Sequence, residues 1–136
     1  MEEYIKYIII CIIILIMDAI WIGTNIKMYG DAVKLVQKSE MVVRYHFVIM
    51  AYIIVLFSSI YISIPFTKSY VKNTDTILDK LYKSFIYGGV VGFVIYAIYN
   101  LTSLSIYKDY DYKVAIFDTI WGTFLNTFIT FIYLLL

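Results

Sequence analysis

Residues 7–23 read YIIICIIILIMDAIWIG. The first eleven are apolar enough for the hydrocarbon of a bilayer. Then an aspartate, Asp18, falls inside the same run, with Trp21 three residues on. A hundred positions later the chain writes DTIWGT from Asp118, again inside an apolar run. A spanning helix needs about 20 mostly apolar residues, and residues 4–24 meet that. The class of the protein follows from this stretch, and its function turns on why an acid is written into it twice.

Composition agrees with the class. Of 136 residues 62% are hydrophobic and 15% charged, whereas soluble domains are nearer half apolar and a quarter charged. The fold expected is all-α: a polytopic membrane protein and single transmembrane domain over residues 1–136. Its four helices fall at about 4–24, 45–64, 81–106 and 113–135. Pro65, the only proline, is expected to stop the second, because proline lacks an N–H and clashes with the preceding turn. Residues 25–43, NIKMYGDAVKLVQKSEMVV, read as a short amphipathic segment lying on the membrane between helices one and two. MEEYIK is a poor positive leader and no small-residue cleavage site follows, so the first helix reads as retained.

Four spans place both termini on one side of a membrane whose identity the sequence does not reveal. Lysine and arginine divide five against six between the two sides, so the positive-inside rule gives no orientation. A net charge of +1 offers no field for nucleic acid. The expected partners are the lipid bilayer and, if Gly88 and Gly92 face outward, a second copy of the chain. Those glycines, spaced four apart, read as a helix-packing surface within the bundle or between copies.

The polar intramembrane residues gather toward one face. Asp18 lies about 9 Å from one end of its helix and Asp118 about 7–8 Å from the start of the last. The two helices are antiparallel, so both acids reach a similar depth. Residues 96–103, YAIYNLTS, put Tyr96, Tyr99, Asn100 and Ser103 on one helical stripe, ending at the same face. His46, the only histidine, and Arg44 begin the second helix there. Tyrosines at the helix edges, Tyr29 and Tyr110 among them, fit an interfacial aromatic belt.

An aspartate at a helix centre costs roughly 2.5–3.5 kcal/mol on insertion scales, so such residues usually face the bundle and have work to do. Asp18, Trp21, His46, Tyr96, Tyr99, Asn100, Asp118 and Trp121 are therefore the ligand- or proton-binding candidates. Plainer readings stand beside this one. Asp118 in an early turn offsets its helix dipole, Asp18 pairs with Arg44 or His46, and His46 is an interfacial residue. Asp18, Asp118 and His46 would be the one metal set, but their spacing is not diagnostic, and no metal or cofactor is expected. CxxC, HExxH, Walker and GxSxG motifs are absent, so no catalytic residue is assigned and enzymatic activity is not favoured.

DAIWIG at 18–23, YAIYNLTS at 96–103 and DTIWG at 118–122 resemble, over nearly the whole chain, the predicted membrane-protein family catalogued as domain of unknown function 2177. The resemblance implies four helices and no assigned activity. That family's third-helix word typically reads Y-A-x-Y-D-L-T-N; this chain has Asn100 at the acid and Ser103 at the last position. The functions open to it are three. It binds or moves a small ligand, cation or proton at a polar pocket near one face; it is a lipid-modifying enzyme or its partner subunit; or it is a structural or assembly protein. A second polar cluster in the terminal-side half would favour transport, and only Ser58, Ser59 and Ser63 stand out there.

Overall fold

The computed structural model describes residues 2–136. It is all-helical, with four helices long and apolar enough to cross a membrane: α1 (Glu3–Gln37), α2 (Tyr45–Lys68), α3 (Ile77–Ile106) and α4 (Tyr112–Leu135). No strand occurs among the described residues.

Two helix ends differ from the sequence expectation. α1 does not stop near Thr24. It runs on through Gly30 to Gln37 and closes on Lys38, whose φ of 58° lets its N–H reach back to the Lys34 carbonyl. The polar stretch beginning at Asn25 is thus an unbroken continuation of α1 to Gln37 rather than a separate segment lying flat. A mid-helix glycine costs about 1 kcal/mol against alanine, and the good helix formers around Gly30 outweigh it. At 35 residues α1 is about 52 Å long, against a hydrocarbon core of about 30 Å. Its last turns therefore stand clear of the bilayer, tied down by the Lys38–Asp109 ion pair at 2.7 Å.

Nor does Pro65 stop α2. A wide π-helical turn over Ser59–Ser63 precedes it, and the helix resumes over Ile64–Lys68. The wider turn relieves the conflict between the proline ring and the carbonyl four residues back. α3 contains a second π turn, Ser84–Gly89. It begins on a capping box, in which Thr76 Oγ1 accepts from Asp79 N–H while the Asp79 carboxylate accepts from Thr76 N–H. Thr76→Ala should cost about 1 kcal/mol, read as a lower midpoint in thermal unfolding.

α4 is the spine, packed against α3 along its length and against α1. Gly88, Gly89 and Gly92 turn inward onto it. A Cβ on Gly92 would fall inside the Gly122 carbonyl oxygen, and one on Gly88 would meet Thr130 Oγ1 at 2.7 Å. The glycine surface thus serves packing within the bundle. Ile10, Ile14, Ile64, Leu125, Ile129 and Tyr133 form the apolar core. α1 and α4 are clamped twice, by a Tyr7–Tyr133 stack at 5.2 Å and a Trp21–Trp121 stack at 4.5 Å. α2 is the loose member. From Tyr45 to Phe57 only Tyr52, Val55 and Leu56 are even partly covered.

The turn between α2 and α3 is acid-sensitive. Lys83 Nζ lies 2.5 Å from Asp75 Oδ2, and this hydrogen bond holds the Asp75 carboxyl below its ordinary value of 3.8. A depressed folded value means that the contribution is present above the unfolded value and lost as pH falls through the folded one. Amides of residues 72–76 should exchange faster below about pH 4, and Asp75→Asn should remove that step.

Candidate functional site

The repeated Asp-x-x-Trp now has a geometric reason. Asp and the Trp three residues on share one helical face. On antiparallel helices, each word then sets its Asp opposite the other word's Trp. Trp121 Nε1 donates to Asp18 Oδ1 at 2.7 Å. Trp21 Nε1 donates to the Tyr29 hydroxyl at 2.9 Å, and Tyr29 donates in turn to Asp118 Oδ1 at 2.8 Å. Between these two arms the indoles lie parallel, 3° apart in plane. The clasp is reciprocal: direct on one side, relayed by a tyrosine on the other.

α3 completes it. Asn100, 1% exposed, donates through Nδ2 to Asp118 Oδ2 at 2.8 Å and to the Tyr96 carbonyl at 2.9 Å. Its Oδ1 accepts from the Tyr110 hydroxyl at 2.8 Å. Tyr110 lies in the link between α3 and α4. Burial foremost, then the neighbouring Tyr99 and Asp118, push its hydroxyl up to about 12, so it keeps its proton and remains a donor. In a chain where this position were Asp, two carboxylates would face each other across α3 and α4. Here the Asn100 amide supplies the N–H that Asp118 needs.

The two acids end differently satisfied. Asp118 accepts at both oxygens. Asp18, 6% exposed, accepts at Oδ1 only, and among the described residues no donor reaches its Oδ2. Neither has an ion-pair partner among them: the ion pairs found are Lys34–Glu40, Lys38–Asp109, Lys68–Glu3 and Lys83–Asp75. Tyr52 on α2 and Tyr96 on α3 lie within electrostatic reach of Asp18.

Of the residues singled out in the sequence, Asp18, Trp21, Tyr96, Asn100, Asp118 and Trp121 are brought together. His46 and Tyr99 are not. His46 is exposed and lies tilted against Phe47, ring centroids 4.2 Å apart, while Tyr99 is 63% exposed. Arg44 is exposed at the start of α2 and pairs with neither acid. No three His, Cys, Asp or Glu side chains converge among the described residues, so the Asp18–Asp118–His46 set is not assembled. Tyr29, Tyr52 and Tyr110 join the site without having been picked out for it. Tyr29 was legible in principle: Asp18, Asn25 and Tyr29 are spaced seven and eleven apart, one face of a helix that continues past Thr24.

A family model described as Predicted membrane protein (DUF2177) matches residues 3–135. No curated protein and no solved structure matches the chain.

Proposed function

The chain belongs to this family of predicted membrane proteins, and we propose that it takes up a proton or small cation at the Asp18–Asp118 pair near one face of the membrane. The observation that carries the reading is the pair's lack of a counter-charge, together with the spare Oδ2 of Asp18. Unpaired charge in a low-dielectric interior is relieved by neutralisation. With Arg44 and His46 turned away, a proton or an incoming cation must supply it. The first half of α2 covers little of this end of the bundle, with only Tyr52, Val55 and Leu56 partly buried between Tyr45 and Phe57. The Trp21–Trp121 stack and the Tyr29 relay hold the carboxylates in place when the charge changes.

The test is infrared difference spectroscopy of the purified protein in liposomes, following the protonated-carboxyl band from pH 5 to 8 with Na⁺, K⁺ or Mg²⁺ added. Asp18→Asn keeps the acceptor for Trp121 and the shape, so the variant should remain folded and lose the titrating or cation-sensitive band. Bands that titrate identically in the parent, Asp18→Asn and Asp118→Asn would sink the reading. They would leave the clasp as a fastener of α1 to α4.

A further inference from the structure

The half of the bundle on the terminal side is not the apolar block its sequence suggests. On α4, Asn126, Thr130 and Tyr133 share one helix face and lie about 12, 18 and 22 Å beyond Asp118 along the axis. Facing them are Ser59, Ser63 and Thr67 on α2, four residues apart, and Ser84 on the Gly88–Gly92 face of α3. Ser63 Oγ lies 3.1 Å from Thr130 Oγ1 and 3.3 Å from the Gly88 carbonyl. Thr67 donates to the Ser63 carbonyl at 2.9 Å. At the far face the Tyr133 hydroxyl donates to Glu3 Oε1 at 2.7 Å, and Glu3 reaches water. Ser59, Ser63, Thr67, Ser84, Asn126 and Thr130 are all at most 2% exposed.

Small polar residues at helix contacts are common in membranes, and hydroxyls bonded back to their own helix are accounted for by that bond. Two atoms here are not. Ser84 Oγ and Asn126 Oδ1 are buried in this seam without a hydrogen-bond partner among the described residues. Native interiors rarely leave such groups unmet, and buried water is the usual partner. Both π turns border the same seam, and turns of this kind concentrate at functional sites.

We propose that this seam, hydrated at Ser84 and Asn126, is a proton route joining the acid pair to Glu3 at the opposite face. The inference rests on the proton reading of the acid site and sharpens it. The Gly92–Gly122 contact closes the seam to anything needing an open bore, which excludes a hydrated metal ion and leaves a proton. Transfer is by hopping. Each hydroxyl or water accepts a proton at a lone pair and releases its own to the next oxygen, so no bond is gained or lost overall. Tyr96, whose ring packs over Gly122, would supply the hydroxyl that joins the acids to this seam.

The experiment uses the purified full chain in liposomes containing a pH-sensitive dye, with a potassium diffusion potential as the driving force. The melting temperature and the Asp18 infrared titration are measured on the same samples. Ser84→Ala deletes an unpaired hydroxyl, so simple packing predicts an unchanged or raised melting temperature and unchanged flux. The route predicts that same melting behaviour with proton flux at least tenfold lower. Thr130→Val, near-isosteric, should give a similar loss. Parental flux in both variants overturns the route, as does a parent whose Asp18 titrates without any flux; in both cases the acid-site reading survives. A parent that conducts while no carboxyl titrates keeps a flux but overturns the acid site and the route through it.

Discussion

Gly92→Ala should lower stability by about 3 kcal/mol, the upper range for overpacking, and the melting temperature by ~10 °C. The added methyl would overlap the carbonyl oxygen of Gly122 and the Asn126 amide. The carbonyl belongs to the α4 backbone and cannot rotate away, so α3 and α4 must separate along a contact that runs the length of both. Gly122→Ala should cost nearly as much, because its methyl would fall inside the Tyr96 ring, Cγ at 2.3 Å included, and turning the ring about its own axis does not move Cγ. Gly23→Ala is the control. Nothing lies within 4 Å of a Cβ there, so helix propensity alone acts and stability should rise by up to ~1 kcal/mol. Thermal unfolding in one detergent or nanodisc preparation orders the three. A Gly92→Ala variant as stable as the parent would show that the two helices do not pack this closely.

Trp121→Phe should cost roughly 2–3 kcal/mol, and Trp21→Phe about 1 kcal/mol. Both keep an aromatic ring in the stack. The first removes the one donor that Asp18 has among the described residues, and a buried carboxylate left bare carries the larger penalty. The second removes the donor to Tyr29, yet Asp118 still accepts from Tyr29 and Asn100. The double variant should show a coupling of about 0.5–1.5 kcal/mol from the stack itself. In an Asp18→Leu background the cost of Trp121→Phe should fall to that of lost packing. Equal costs in both backgrounds would remove the Trp121–Asp18 bond from the account.

The four spans were legible because an apolar run of ~20 residues matches the hydrocarbon thickness and suits little besides a membrane crossing. The repeated Asp-x-x-Trp was legible as a pair on antiparallel helices, but counting residues suggested one depth for both acids, whereas setting each Asp opposite the other word's Trp offsets them by about one helical turn. Which residues face inward was less readable. In a bilayer the outer face of a helix is as apolar as its core face, so periodicity loses its contrast. Tyr99 therefore passed for an inward residue, and His46 stood among the site candidates beside its interfacial reading. Tyr29 and Tyr110 passed for members of the aromatic belt, since that belt and the mouth of the site occupy the same depth. The polar seam went unseen for another reason. Thr67, Ser84, Asn126 and Thr130 are unremarkable singly, and only the crossing of three helices sets them side by side. Pro65 misled because a stop rule assumes α geometry, and the Ser59–Ser63 turn is wider.

α1 is one uninterrupted helix from the acid to beyond the membrane surface, and this links two quantities. Tyr29 sits eleven residues above Asp18, a radius of about 16 Å. Rotating α1 by about 5° about the level of Asp18 moves Tyr29 by about 1.4 Å, half the length of its 2.8 Å bond to Asp118. Helices tilt by such amounts when bilayer thickness changes. A tilt of α1 against α4 of that size would break this bond, and the two aromatic stacks and the Lys38–Asp109 pair are what resist it.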